Sequence, residues 1–126
     1  MLNARQIRGS KFEFEAQAFL ESRGHVILAR RLRVPVSNHR YRQRAWIEID
    51  LLTEEEQSRT LWLVEAKNHC NAASSSAPLL SRTQYLRLMR ALSSLRKLHP
   101  GRQVFWALVW RNPLGGVEFT QNPCYF

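Results

Sequence analysis

The sequence predicts a single α/β domain in which helices cover a sheet. Two stretches, residues 10–22 and 81–99, carry apolar residues at helical spacing. Between and after them lie apolar runs of strand length, "LWLV" and "QVFWALVW", unbroken by polar residues as strands covered on both faces are. A length of 126 residues, 44% hydrophobic and 10% aromatic, suits one domain with a proper core.

Taken in order, the first helix buries Phe12, Ala16, Phe19 and Leu20, with Phe14 and Ala18 broadening the stripe. Ser10 is its expected N-cap, with Glu13 three residues on as in a capping box, and Gly24 is its stop. "HVILARRLRV" (25–34) reads as a strand, and Pro35 demotes the residues after it. "PVSNHRYRQR" (35–44) is then a basic loop or a ragged strand extension. Residues 46–52 alternate, placing Ile47, Ile49 and Leu51 on one face and Trp46, Glu48, Asp50 and Leu52 on the other.

"TEEEQSRT" (53–60) reads as the loop of an antiparallel hairpin whose second strand is 61–67. A turn centred near Gln57 sets Asp50 opposite residue 63 or 64, with Glu65 a direct or diagonal neighbour within about 8 Å. Whether Glu65 shares the face of Asp50 depends on a register that the sequence leaves open. Residues 71–78, "NAASSSAP", read as a loop. The second helix carries Tyr85, Leu88, Leu92, Leu95 and Leu98 in a stripe helped by Met89, with Arg87, Arg90 and Lys97 opposite, and ends at Pro100-Gly101. Residues 103–110 form a second buried strand, Gly115-Gly116 a turn, and "VEFT" a short last strand. No repeat or interdomain linker breaks the chain.

No run of about 18 apolar residues exists, which excludes a helical membrane span. The charged start "MLNARQIRGSKFEFEA" lacks the apolar core of a signal peptide, so a cytoplasmic location is expected. Cys70 and Cys124 are far apart and form no CxxC pair, and His69 beside Cys70 is too little for zinc, so free thiols are expected. The net charge is +9, from 19 Lys+Arg against 10 Asp+Glu, and 16 of those cations are arginine. That sign points to a polyanion, since guanidinium groups make bidentate contacts with phosphate. A basic, solubilising surface would carry the same charge.

The chemistry concentrates in "IEIDLLTEEEQSRTLWLVEAK". Asp50 is the only aspartate, set between Ile49 and Leu51, and Glu65 follows Val64. Carboxylates in such apolar settings are costly unless they are paired or share a cation. A hard divalent cation such as Mg²⁺ or Mn²⁺ takes oxygen ligands, keeps several waters and needs only one or two carboxylates. Lys67 lies two residues past Glu65, on the same strand face, where an ammonium can hold phosphate or the attacking water. The spacing favours metal-assisted attack of water on a phosphodiester. The plainer reading is a set of strand-end charges, with Glu65–Lys67 a solvated pair worth about 0–1 kcal/mol.

Asp50, Glu65 and Lys67 at the ends of a hairpin, behind a helix carrying a glutamate, resemble the PD-(D/E)XK nuclease superfamily, which includes restriction endonucleases and archaeal Holliday-junction resolvases. The closest resemblance is to the small bacterial YraN-like family of predicted nucleases. "GSKFE" matches its glycine-to-glutamate pattern at Glu13, "IEIDLL" matches "GEIDLI" at Glu48 and Asp50, and "LWLVEAK" matches "VFVEVK" at Glu65 and Lys67. The likeness runs through residues 9–110; the three motifs together are fairly specific, the E-x-K tripeptide alone is not. It implies a restriction-endonuclease-like αβββαβ core with a mixed central sheet flanked by helices. It also implies metal ligands at Asp50, Glu65 and the Ala66 carbonyl, and a catalytic role for Lys67. Glu13 would approach the metal from the first helix. Glu48 is a weaker candidate.

The chain departs from the family at Ile47, which replaces a glycine, in the long basic stretch 35–44, and at Gln84, where the family often has lysine. Candidate nucleic-acid contacts are Arg40, Arg42 and Arg44 in that stretch, and Arg82, Gln84 and Arg87 on the second helix. Arg30, Arg31 and Arg33 precede the first group. Tyr41 and Trp46 offer stacking surfaces, although packing into the core or its rim is the commoner fate of such aromatic residues. The expected function is thus Mg²⁺- or Mn²⁺-dependent DNA cleavage, on a branched or otherwise structured substrate. The rival expectations are a non-catalytic nucleic-acid-binding module on the same fold and an adaptor for an acidic protein. A homodimer packed through "VEFTQNPCYF" is an expectation from analogy.

Overall fold

The structure is a computed structural model that describes residues 4–38, 43–68 and 80–121, with side chains described for 11–36, 45–68 and 80–121. The elements are α1 (Ala4–Ser22), β1 (His25–Asn38), β2 (Gln43–Glu55), β3 (Leu61–Lys67), α2 (Arg82–Leu98), β4 (Val104–Arg111) and β5 (Val117–Gln121). The five strands form one mixed sheet in the order β1-β2-β3-β4-β5. β3 and β4 are parallel and the other neighbouring pairs are antiparallel. A parallel pair needs a long crossover, and α2 supplies it. Among the described residues no helix is long and apolar enough to cross a membrane.

The two helices cover opposite faces. Phe12, Ala16 and Leu20 of α1 recur every fourth residue and pack with Leu51, Trp62, Val64, Ala107 and Val109. Leu88, Ala91, Leu92 and Leu95 of α2 pack with Ile49, Leu52, Leu61, Leu63, Val104, Trp106 and Leu108. Residues of β3 and β4 alternate between these two cores, which explains why both strands are apolar throughout. Each fully buried leucine contributes about 1.5–3 kcal/mol.

Several expectations change. α1 begins at Ala4, so Ser10 sits in its interior rather than at its N-cap. Phe14 and Ala18 are exposed, because a helix over a sheet buries one stripe and these lie off it. Leu98 is 60% exposed at the frayed end of α2 rather than in its apolar stripe. The capping box belongs instead to α2: the Ser81 hydroxyl accepts the Gln84 N–H, and the Gln84 side chain accepts the Ser81 N–H. β1 runs through Pro35 to Asn38, since it is an edge strand and a proline there leaves no ladder bond unmade. β2 likewise continues to Glu55, into the stretch expected to be loop.

The expected alternation of β2 also fails, at Asp50. Ile49 and Leu52 face α2, whereas Leu51 faces α1. On β1, Ala29 and Leu32 face α2 with the same three-residue step. The register places Arg30 opposite Leu51 and Leu32 opposite Ile49, so Arg31 and Asp50 face each other at the step. Arg31 has φ +50°, a left-handed backbone that breaks the pleat. A further irregularity lies between Ile27 and Ala29.

Candidate active site

β2 and β3 pair from Glu54–Leu61 to Leu51–Val64 and then part. Asp50 is therefore not opposite residue 63 or 64, because the hairpin turn sits further along than Gln57 allows. Continuing the register by two residues would set Ile49 opposite Ala66, whose N–H would need a β2 carbonyl. Asp50 fills that role: its Oδ2 accepts the Ala66 N–H at 2.8 Å. In a strand the N–H and C=O of one residue point the same way, so the Ala66 carbonyl faces this gap as well. β3 stays paired with β4 as far as Lys67–Trp110, which holds Glu65, Ala66 and Lys67 extended while their other neighbour departs.

Glu65 meets Asp50 in the gap, through both the Asp50 side chain and its backbone. Burial first, then the Asp50 charge and a side-chain hydrogen bond with Asp50, hold the Glu65 carboxyl well above its ordinary range. Lys67 pulls the other way. Glu65 and Lys67 line a cleft of about 80 Å³ with Ile47 and Glu48 of β2, Leu80, and Gln84, Arg87 and Leu88 of α2. The cleft thus has two acids, Glu48 and Glu65, an amine, and a guanidinium on its α2 wall, with Asp50 joined to it through Glu65.

Glu13 does not line this cleft. It pairs with Arg31 at 3.4 Å and borders a separate depression with Phe14 and Arg30. Glu48 does line it, on the strand face that Trp46 also occupies. Gln84 lines it while its Oε1 is engaged by the helix cap. Arg82 opens α2 and is exposed. Arg40 and Arg42 lie outside the described residues, as do Tyr41, His69, Cys70, Cys124, the loop 71–78 and the side chain of Arg44.

Two contributors escape a reading of the sequence. Arg31 ties α1 to the β1 step opposite Asp50 through its bond to Glu13. Arg111 donates to Asn68 Oδ1 at 3.0 Å and to the Gly115 carbonyl at 2.9 Å, and pairs with Glu15. It thereby anchors the residue after Lys67. Nothing local marks either arginine, because both partners are distant in sequence.

The donor set suits a hard divalent cation. The Asp50 and Glu65 carboxyl groups, the first of which opposes ionisation of the second, and a backbone carbonyl on the same side are oxygen donors. Among the described residues no group of three or more His, Cys, Asp or Glu side chains converges, so water and phosphate oxygens would complete the shell.

No family model matches the chain, and no curated protein matches its sequence.

Proposed function

We propose that the chain is a divalent-metal-dependent endonuclease acting on DNA, built on a restriction-endonuclease-like core of the YraN-like type. One observation carries the reading: Asp50 and Glu65 converge where β2 and β3 part, with Lys67 lining the same cleft. Metal-dependent nucleases need such a gap, because ladder bonds would otherwise consume the polar groups that face it. The net charge of +9 suits a phosphate-backbone partner.

Asp50, Glu65 and the Ala66 carbonyl would hold Mg²⁺ or Mn²⁺. The bound ion supplies Lewis acidity at the scissile phosphate and lowers the pKa of water. Lys67 holds a non-bridging phosphate oxygen and offsets the charge that develops as water attacks. Asp50 performs two tasks at once, since its bond to the Ala66 N–H fixes the carboxylate that would hold the ion. Arg87, on the cleft's α2 wall, grips a neighbouring backbone phosphate, with exposed Arg82 beyond it.

The test is cleavage of branched, nicked and linear DNAs with Mn²⁺ or Mg²⁺. Cleavage that disappears in Asp50→Ala and Lys67→Ala supports the assignment. Cleavage that survives Asp50→Ala refutes it. Salt-sensitive DNA binding with no cleavage under any condition favours a non-catalytic binding module instead.

A further inference from the structure

Three of the four tryptophans are core residues: Trp62, Trp106 and Trp110 are 6%, 4% and 3% exposed. Trp46 is 51% exposed. The expectation that it packs into the core fails for a topological reason. The outer part of the β1–β2 arm buries one face against α2, through Val34, Val36, Ile47 and Ile49, and among the described side chains none of α1 packs over the other. Trp46 stands on that open face.

Its neighbours fit one class of ligand. Pro35 lies directly opposite Trp46, and Arg33 lies opposite Glu48. The Arg33 guanidinium sits over the indole, 5.9 Å from the ring centroid. Nearer the step, Arg30 lies over Phe14, itself 61% exposed, at 5.3 Å. Two exposed aromatic rings, each with an arginine over it, make a surface that is both aromatic and cationic. A water-soluble protein gains nothing in stability from an indole left half in solvent. A nucleobase has the π-face to cover such a ring, and its phosphates are drawn to the adjoining arginines.

The platform and the cleft lie on opposite faces of the arm, since Ile47 and Leu88 line the cleft on the α2 side. They meet at the edge of β2 that β3 leaves unpaired beyond Leu51, where Glu48 also lines the cleft with Glu65 and Lys67. Trp46 is four residues from Asp50, about 13 Å along the strand. A paired base hides both faces in the duplex stack, so only an unpaired one can lie on Trp46.

We propose that the open face of the β1–β2 arm, centred on Trp46 and Arg33, stacks an unpaired base of the strand led round the unpaired edge of β2 into the Glu65–Lys67 cleft, which makes DNA with a single-stranded stretch beside the scissile bond the preferred substrate class. This rests on the nuclease reading for its link to cleavage, but the stacking itself is tested without cleavage.

The experiment uses the full chain with EDTA and two labelled DNAs, a blunt duplex and the same duplex with a single-stranded tail. Trp46→Ala is expected to weaken binding of the tailed DNA about ten-fold while changing blunt-duplex affinity less than about two-fold. Trp46→Phe restores most of the loss. Oligo-dT should also quench the solvent-exposed part of the tryptophan emission in the native protein and leave Trp46→Phe emission unchanged. Equal losses on both DNAs, no loss on either, or an unquenched native spectrum overturns the platform and leaves the nuclease reading standing. Absence of cleavage by the native protein with Mg²⁺ or Mn²⁺ on any DNA overturns the nuclease reading and leaves the stacking result intact.

Discussion

The Asp50 Oδ2 atom accepts the Ala66 N–H at 2.8 Å, replacing the ladder bond that β2 abandons when it leaves β3. A candidate metal ligand is thereby also a structural link, and the two duties can be separated by mutation. Asn and Ala at position 50 both remove the charge, but only Asn keeps a carbonyl acceptor. Asp50→Ala should be less stable than Asp50→Asn by about 1–3 kcal/mol, the cost of a part-buried N–H left without a partner. Urea denaturation measures the difference; equal midpoints would show that water replaces the carboxylate at no cost.

Glu65 sets a pH dependence of known sign. Burial and Asp50 raise its carboxyl above the ordinary 4.5 in the folded chain. The folded state therefore keeps a proton that the unfolded state gives up. Stability is complete below pH 4.5 and falls as pH rises through the higher folded value. Glu65→Gln has no proton to lose. In EDTA its Tm should exceed that of the native protein at neutral pH, and the two should converge toward pH 4.5. A constant gap at all pH values would assign the difference to packing.

Adding the cation should reverse that order. A ligand bound only by the folded state stabilises it by about 2.7 kcal/mol at a hundred-fold excess over Kd. Mn²⁺ should raise the Tm of the native protein and leave Asp50→Asn and Glu65→Gln unmoved. Lys67→Met should keep the thermal shift and lose cleavage, because its amine acts on phosphate or water. A shift that survives both acid substitutions would place the metal elsewhere.

His25 provides an opposite case, away from the cleft. Its Nδ1 lies 2.8 Å from the Thr53 hydroxyl, and its ring lies 5.9 Å from Phe119 and 6.3 Å from Trp62. Burial lowers its pKa below 6.5, with Arg23 assisting and Glu55 opposing. The unfolded chain takes a proton that the folded chain resists, so stability drops as pH falls through 6.5 toward the folded value. His25→Phe should flatten the Tm profile in that window. An equally steep profile in the variant would assign the drop to other groups.

Elements and candidate chemistry were legible where the signal is local. The stripe Leu88, Leu92, Leu95 follows from helical spacing, and the apolar runs of β3 and β4 follow from burial on both faces. Asp50, Glu65 and Lys67 stand out because charge beside apolar residues needs a reason. Ser10 misled because a capping pattern reads the same inside a helix as at its start. Pro35 left loop and strand extension both open, because its cost depends on whether its strand lies at an edge, which neighbouring residues do not reveal; the edge position decides for the strand.

The sequence by itself determined the order of helices and strands and which charged side chains stand beside apolar ones, since each rests on residues a few positions apart. Only the tertiary structure decided that the pleat of β2 breaks at Asp50, that β2 and β3 part to leave Ala66 for its carboxylate, and that Trp46 stays in solvent. Those outcomes depend on strand register, on the left-handed turn at Arg31 and on how far α1 reaches over the sheet. Each is fixed by contacts between residues distant along the chain, where local periodicity carries no information.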